Sequence, residues 1–404
     1  MVYNEFYTSV NDKEAFNIIR NKLTDNNSKF QSNKLSIHRT ISDTTNATPS
    51  KKNVVFILVE SLSASFMKEF GNQQNITPFL DSLAQKSVFF DNLYATGTRT
   101  VRGMEAMTLC IPPTPGQSIV KRPENQNLFT VSNVFKSKGY NSNFFYGGDG
   151  YFDNMNAYFG GNGFTIYDRG RGSVLSDKIK TTRNNINDNE VTFENAWGIC
   201  DEDIYSKMLN VADEHHKNNK PFFNFVMTTS NHRPFTYPDN AIDIPSGSGR
   251  EGAVKYTDYA IKKMFQKAKN KPWFKNTVFI IIADHCASSA GKDEIDVANY
   301  HIPAFIVNFP QEMNQKVSKQ CSQIDVFPTF FSMMNWSYES NFFGKNVFNQ
   351  NFEERAFVGT YRKLVLMKKE KVMILSDQKR QSFYYWNKTD NSLKPLPMDK
   401  SFLN

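Results

Sequence analysis

Two uninterrupted apolar runs in this sequence each end in charged or ionisable residues. Residues 54–59 are followed by Glu60, and residues 278–283 are followed by Asp284 and His285. Short runs rich in Val and Ile are typical of strands buried on both faces of a parallel sheet. Ligand sites in open α/β sheets lie beyond the carboxyl ends of the strands, where carboxylates and an imidazole suit a metal ion. Each acid taken alone could equally be an N-cap or first-turn residue of the next helix.

The segments between these two runs alternate between strand and helix patterns. Thr77 and Pro78, for example, fit the N-cap and first position of a helix that follows the Glu60 run. This alternation predicts an α/β domain whose mostly parallel sheet is flanked by helices. Further strands are predicted at residues 88–94, 141–146, 222–227 and 304–307, and helices at 15–23, 128–138, 255–268 and from 323.

The two ends of the chain have different patterns from the middle. Residues 1–50 are rich in Asn, Ser, Thr and Lys and predict a polar linker or surface strap. Residues 51–350 contain the α/β pattern. Residues 351–404 alternate with a period of two and predict a small antiparallel β subdomain.

Charge and cysteine usage narrow the function classes. The net charge is +8 and the pI about 9.0, but the Lys and Arg residues are scattered, so we expect no nucleic-acid partner. A membrane surface or a phosphodiester substrate explains the basic balance equally well. The four cysteines contain no C-x-x-C pair, which argues against a zinc ribbon, and their pairing stays open. The sequence has no apolar run of ~18–20 residues and no signal-peptide pattern.

Three polar loops follow predicted strands and are candidates for binding or catalysis. The turn at residues 96–100 carries three threonines and leads into a helix, whose N-terminus stabilises negative charge. The loop at residues 146–155 contains paired glycines and Asp149, Asp153 and Asn154. His232 follows the strand at 222–227. Turn formation, capping and ordinary structural roles remain open for all of these residues.

Taken together, these motifs resemble the alkaline phosphatase/sulfatase superfamily. They most resemble the extracytoplasmic domain of phosphoglycerol transferases of the lipoteichoic-acid-synthase type and of the periplasmic-glucan type. The resemblance covers roughly residues 50–350. It rests on NVVFILVES, TGTRTVRGMEA, YGGDGYFDNM, TTSNHRPF, ADHCASSAGK, YHIP and QIDVFPT, in that order.

The resemblance implies roles for particular residues. Thr100 matches the nucleophile, because it begins the family pattern T-x-x-G-M, whereas Thr96 and Thr98 do not. Lipoteichoic-acid enzymes carry His, Trp and Arg in the glycine–aspartate loop, where this chain has Tyr146, Asp153 and Met155. The implied metal ligands are Glu60, Thr100, Asp284 and His285, and the implied substrate-binding residues are His232, Asp149, Asp153, Asn154, Arg99 and His301.

The implied function is transfer of glycerol phosphate from a phospholipid such as phosphatidylglycerol to a cell-envelope glycan through a covalent intermediate on Thr100. Mn²⁺ is the expected metal, with Mg²⁺ or Zn²⁺ as alternatives. We expect an extracytoplasmic location, with membrane helices in a full-length protein. Alternatives are a phosphoethanolamine transferase, a phosphodiesterase or sulfatase, and a non-catalytic glycan-binding domain. A sulfatase would need C-x-P-x-R or S-x-P-x-R, and the nearest match, at Cys110, lacks the Arg.

Overall fold

The computed structural model describes residues 3–32, 35–170, 182–288, 294–398 and 402, and a large mixed sheet forms its centre. Ten strands belong to this sheet within those ranges. Every neighbouring pair is parallel except the two made by His301–Val307, which is antiparallel to both of its neighbours. The predicted mostly parallel α/β sheet is therefore confirmed. In spatial order the strands are Gln315–Val317, Ser87–Tyr94, His301–Val307, Thr277–Ala283, Asn53–Val59, Phe222–Met227, Asn141–Tyr146, Phe164–Asp168 and Arg183–Asn185, and Cys321–Ser322 also pairs with Ser87–Tyr94.

Helices cover both faces of the central strands, which is why those strands are apolar throughout rather than alternating. Successive strand residues point to opposite faces. Phe222 contacts Trp273 on one face, with ring centroids 5.7 Å apart, and Phe223 stacks on Phe135 on the other at 3.9 Å. The helices are Tyr3–Phe6, Asp12–Leu23, Pro78–Ala84, Thr100–Leu109, Val131–Ser137, Met155–Gly161, Asp201–Lys217, Arg250–Ala268 and Val326–Met333.

The described part of the first 50 residues packs against the main domain. Ser28–Phe30 and Arg39–Ile41 form a three-stranded antiparallel sheet with Tyr338–Ser340. The indole Nε1 of Trp336 donates to the carbonyl oxygen of Ser50 at 2.8 Å. These backbone and side-chain hydrogen bonds attach the segment to the main domain, as expected of the strap rather than the linker among the two predicted alternatives.

The C-terminal residues form the small antiparallel sheet that the alternating pattern predicted. Its buried face packs against Tyr94, Val297 and Tyr300 of the main domain. Its last strand, Ser392–Leu396, lies at the edge of the sheet, where its proline and exposed side chains are tolerated. The other four strands are Ala356–Gly359, Leu364–Lys368, Lys371–Leu375 and Gln381–Asn387.

All four cysteines, Cys110, Cys200, Cys286 and Cys321, are buried free thiols. In the described ranges, no helix has the length and apolar character needed to cross a membrane.

Candidate active site

The Glu60 strand (Asn53–Val59) and the Asp284 strand (Thr277–Ala283) are neighbours in the sheet. They are parallel, and Val59 pairs in register with Ala283. The backbone N–H of Asp284 donates to the carbonyl oxygen of Val59 at 3.0 Å. Glu60 and Asp284 therefore follow the ends of two adjacent strands and lie side by side at the same edge of the sheet. The sequence alone predicted each strand end, but not that the two strands are neighbours.

Glu60, Asp284 and His285 form a buried cluster in which one ligand atom from each lies within 4.8 Å of the others. His285 Nε2 is 3.3 Å from Asp284 Oδ2 and 3.7 Å from Glu60 Oε1. His285 Nδ1 lies 2.7 Å from the carbonyl oxygen of Cys286, which can only accept. Nδ1 therefore donates to this carbonyl, which leaves Nε2 facing the two carboxylates, the arrangement found in metal-binding histidines.

Asp284 is the residue that most strongly indicates a cation-binding site. Its Oδ1 accepts the backbone N–H groups of Ser61 and His285, at 2.8 and 2.6 Å. Its Oδ2 is buried and has no hydrogen-bond partner in the described part of the chain. A buried carboxylate oxygen without a donor is costly. The donor set and this oxygen together fit a divalent metal ion bound by Glu60, Asp284 and His285.

The two carboxylates differ in electrostatic environment. Burial and the adjacent Glu60 raise the pKa of Asp284 well above its usual value. Burial alone would raise the pKa of Glu60 as well, but His285 and the Ser61 hydroxyl, which donates to Glu60 Oε1 at 2.6 Å, lower it overall. A divalent cation would remove the repulsion between the two carboxylates.

Thr100 lies beside this cluster at the first position of the helix Thr100–Leu109. Its Oγ1 donates to Glu60 Oε2 at 3.1 Å. The helix can approach so closely because of Gly103, where a Cβ atom would lie 2.5 Å from the carbonyl oxygen of Asp284. The glycine in the T-x-x-G pattern thus permits helix and strand to pack with the hydroxyl and the carboxylates together.

A cavity of about 340 Å³ adjoins the cluster. Among the residues predicted to bind substrate, it is lined by Arg99, Asp153 and His232. Asp153 also pairs with Lys121, with Nζ and Oδ1 2.6 Å apart. Burial lowers the pKa of His232, so its ring is neutral at neutral pH. The structure therefore brings these three residues together with Glu60, Thr100 and His285.

Three other predicted residues do not line this cavity. The carboxylate of Asp149 accepts hydrogen bonds from the Tyr151 backbone and from Arg183. Asn154 donates to the carbonyl oxygen of Lys121 at 3.3 Å. These contacts give both loop residues structural partners outside the cavity.

His301, which the resemblance implied as a substrate-binding residue, also does not line this cavity. Its Nε2 donates to the carbonyl oxygen of Asp91 at 2.7 Å. Its ring is packed between those of Phe70 and Tyr94, with centroids 4.8 and 5.5 Å away. The half-buried ring thus has structural partners outside the cavity.

Two residues that the sequence analysis did not single out contribute to the cavity wall. Trp197 lies against His232, with ring centroids 3.5 Å apart. Arg250, at the start of the helix Arg250–Ala268, donates from Nη1 to the Asn231 carbonyl at 3.1 Å. Asn231 in turn donates from Nδ2 to the Glu60 carbonyl at 2.9 Å, which connects Arg250 to the metal-site backbone. No local pattern marks either residue, because only the tertiary structure brings them to the sheet edge.

Comparisons with known proteins agree with this geometry. A family model described as Sulfatase matches residues 52–336. Lipoteichoic acid synthase 2 of Bacillus subtilis is 26% identical over 309 residues, which cover 70% of this chain and 45% of the relative. Phosphoglycerol transferase I of Escherichia fergusonii is 25% identical over 254 residues, which cover 59% of this chain and 31% of the relative. The chain thus spans less than half the length of these curated relatives.

Two solved structures share the fold. A protein in the alkaline phosphatase superfamily from Vibrio parahaemolyticus superposes with a TM-score of 0.86 at 30% identity, covering 99% of this chain and 94% of that one. The lipoteichoic acid synthase LtaP from Listeria monocytogenes superposes with a TM-score of 0.66 at 19% identity, covering 86% of this chain and 88% of that one. The chain therefore belongs to the Sulfatase family, within the alkaline phosphatase superfamily.

Proposed function

We propose that this chain is the catalytic domain of a metal-dependent phosphoglycerol transferase. It would move glycerol phosphate from a phospholipid such as phosphatidylglycerol to a cell-envelope glycan. The observation that carries the proposal is the Thr100 hydroxyl, which lies within hydrogen-bonding distance of Glu60 in the Glu60–Asp284–His285 cluster. The names of the relatives, lipoteichoic acid synthase and phosphoglycerol transferase, support the same class of reaction.

Thr100 is the proposed nucleophile of the first step. Its Oγ1 attacks the phosphorus of the donor, a new Oγ1–P bond forms, and the P–O bond to diacylglycerol breaks. Thr100 loses its proton and the diacylglycerol oxygen gains one, so the step is balanced. The hydrogen bond to Glu60 orients the hydroxyl, and the neutral His232 donates an N–H to a phosphoryl oxygen.

The second step returns the enzyme to its starting state. A hydroxyl of the acceptor attacks the same phosphorus, and the Oγ1–P bond breaks. The proton lost by the acceptor hydroxyl is matched by the one that Thr100 regains. Water in place of the acceptor would give hydrolysis, so the position of the acceptor decides between transfer and hydrolysis.

Glu60, Asp284, His285 and the Thr100 oxygen would hold the metal ion. Carboxylate, hydroxyl and imidazole ligands suit Mn²⁺, which we propose, and are also compatible with Mg²⁺ or Zn²⁺. A bound divalent cation would stabilise the deprotonated threonine oxygen and the charge on the phosphoryl oxygens.

Three arginines would offset the charge of an anionic donor. Arg99, Arg233 and Arg250 line the cavity, and none of them forms an ion pair among the described residues. The half-buried Arg250 is the best placed, because Asn231 fixes its guanidinium beside the cluster. Cations without acidic partners are expected where an anionic substrate completes the pairing.

The partners and the location follow from the proposed substrates. A phospholipid donor requires the cavity to work at a membrane surface, and a cell-envelope glycan acceptor requires it to face outside the cytoplasm. We therefore propose an extracytoplasmic reaction at the membrane surface. No nucleic-acid partner is proposed.

The alternative nucleophile of a sulfatase is disfavoured by position. Cys110 follows the last residue of the helix that Thr100 begins, so the whole helix separates it from the cluster. Its thiol is fully buried, and its Sγ donates to the carbonyl oxygen of Met107. Burial raises the pKa of this thiol well above its usual value, which disfavours the thiolate.

The test is intact-protein mass spectrometry after incubation with Mn²⁺ and phosphatidylglycerol. We expect a mass increase of one glycerol phosphate that maps to Thr100 and is absent in Thr100→Ala. An adduct elsewhere, or activity of Thr100→Ala near that of the wild type, would contradict the nucleophile. An adduct only with phosphatidylethanolamine would favour the phosphoethanolamine alternative, and failure to bind Mn²⁺ would favour a non-catalytic glycan-binding domain.

A further inference from the structure

A second concave region adjoins the catalytic cavity on the side of Thr100. This groove has a volume of about 670 Å³ and shares Thr98, Arg99 and Asp153 with the catalytic cavity. A ligand in the groove would therefore be next to the residue that carries the proposed intermediate. We define it as the side groove; its other lining residues include Gln117, Ser118, Lys121, Thr360 and Tyr361.

The floor of the side groove is fixed by a buried polar network. Arg102 Nη1 pairs with Glu105 Oε1 at 2.8 Å, and both side chains are almost completely buried. The Ser118 hydroxyl donates to Glu105 Oε2 at 2.7 Å. Arg102 also donates to the carbonyl oxygen of Gly116. Because these polar groups provide one another's hydrogen-bond partners, the floor of the groove is preformed. Binding of a ligand therefore does not require the floor to become ordered.

The C-terminal sheet supplies the opposite wall. The backbone N–H of Gly116 donates to the carbonyl oxygen of Tyr361 at 2.8 Å, which ties the floor loop to the first hairpin of that sheet. The Thr360 N–H donates to the Lys363 carbonyl at 2.9 Å and closes the hairpin turn. Tyr361 nevertheless remains 64% exposed. Its backbone is thus fixed while its ring stands in solvent at the groove.

The chemistry of this lining fits a carbohydrate. The side chains of Thr98 and Gln117 offer a hydroxyl and an amide that both donate and accept hydrogen bonds, as sugar hydroxyls do. The Thr360 hydroxyl accepts from the backbone of Arg362 and Lys363 and can still donate a hydrogen bond. An exposed aromatic ring beside them can pack on the C–H face of a sugar. A lipid tail would need an apolar groove instead. We infer that the side groove binds a saccharide unit of the acceptor and presents its hydroxyl to the phosphorus on Thr100.

This inference rests on the proposed function and specifies its acceptor. The acceptor step is the one given above: the sugar hydroxyl oxygen forms the new P–O bond, the Oγ1–P bond breaks, and Thr100 recovers a proton. Occupation of the groove by a saccharide would favour this step over attack by water. The structure therefore assigns the C-terminal sheet a part in acceptor selection.

The first test measures the partition of the donor between sugar and water. The full chain with Mn²⁺ is given phosphatidylglycerol in detergent micelles and a β-linked gluco-oligosaccharide, and glycerophosphorylated sugar and free glycerol phosphate are quantified. We expect Tyr361→Ala and Gln117→Ala each to lower the ratio of sugar product to free glycerol phosphate by about tenfold. Tyr385→Ala is the matched control, because Tyr385 is a 45% exposed tyrosine of the same sheet and does not line the groove.

An unchanged ratio in Tyr361→Ala, or wild-type protein that cleaves the donor but never transfers to sugar, would overturn the inference. Direct binding supplies an independent measurement: saturation-transfer NMR of the oligosaccharide with the Thr100→Ala protein should give sugar signals that Tyr361→Ala in the same background weakens. Sugar binding without donor cleavage would support the groove while rejecting the proposed function. Binding to phosphatidylglycerol vesicles that Tyr361→Ala abolishes, with no sugar signal, would identify a membrane contact and overturn the inference.

Discussion

Replacing Asp284 with Asn should lower the affinity for the metal ion without disturbing the fold. Asp284 Oδ1 accepts two backbone N–H groups, from Ser61 and His285, and Asn retains this oxygen. The substitution changes only Oδ2, the buried oxygen without a partner, into an NH₂ group. An amide nitrogen that carries two protons cannot bind a cation, so the fold should persist while the metal affinity falls.

The size of the effect follows from linkage. Mn²⁺ at about 100 times its dissociation constant stabilises the protein that binds it by about 2.7 kcal/mol. With an unfolding entropy of about 2.1 cal/mol/K per residue, the 404 residues give roughly 0.85 kcal/mol/K, so the melting temperature should rise by about 3 °C. For Asp284→Asn we expect a rise below about 1 °C at the same Mn²⁺ concentration.

Without a metal ion, the wild type should have no stability advantage over Asp284→Asn. Burial and Glu60 raise the pKa of Asp284 well above its usual value, so the carboxylate destabilises the folded state without a cation. Removing this charge should leave metal-free Asp284→Asn at least as stable as the metal-free wild type. Differential scanning calorimetry with EDTA and then with Mn²⁺ measures both effects.

Asp201 offers a closely matched control. It is also fully buried, its Oδ1 accepts the backbone N–H groups of Thr229 and Ser230, and its Oδ2 has no partner among the described residues. It is not part of the three-residue cluster. Asp201→Asn should therefore keep the full Mn²⁺ shift. A full shift in Asp284→Asn, or an equal loss in Asp201→Asn, would refute the assignment of the metal site.

Three further predictions use other parts of the structure. Arg250→Ala should weaken the binding of sn-glycerol 1-phosphate by about 10- to 100-fold in calorimetric titrations, because a charge-assisted hydrogen bond contributes about 1.5–3 kcal/mol; binding equal to the wild type would exclude this contact. Gly103→Ala should cost about 1–3 kcal/mol in urea unfolding, since its Cβ would overlap the Asp284 backbone; a neutral effect would show that the helix can move away. Burial lowers the pKa of His215, whose Nε2 faces the Asn143 amide at 3.1 Å, so the folded state binds fewer protons than the unfolded state. Stability should therefore fall as the pH drops through about 6.5, and His215→Gln should reduce that slope in urea unfolding between about pH 5 and 7.5; equal slopes would contradict this reasoning.

The sequence predicted the strand-end residues because their signal is local. An apolar run that stops at Glu60, or at Asp284 and His285, shows both the buried strand and the polar residue that leaves it. Parallel strands require each such residue to lie at the same edge of the sheet. The distance between these residues depends on which strands are neighbours in the sheet. Neither the run at 54–59 nor the run at 278–283 shows by itself which strand it pairs with.

The sequence was less informative where contacts join distant segments. Arg250 and Trp197 carry no motif, and each reaches the cavity only because its element packs beside His232 or Asn231. The misplacement of His301 has a similar origin. Its strand is the one that runs antiparallel in the main sheet, so His301 begins a strand at the edge where its neighbours end. Its ring contacts Phe70 and Tyr94 rather than the cavity.

The two concave regions also differ in how the chain builds them, and this bears on what each can do. The metal-binding side chains follow strands that are buried along their full length, so their relative positions are rigid, as transition-state stabilisation requires. The side groove instead lies between a loop near Gly116 and a hairpin of a separate sheet, joined by the hydrogen bond from the Gly116 N–H to the Tyr361 carbonyl. Substitutions at its rim, such as at Gln117 or Tyr361, change the groove without disturbing the strands. With the acceptor in the side groove, as inferred above, altered acceptor preference should be obtainable from rim variants that leave Mn²⁺ binding intact.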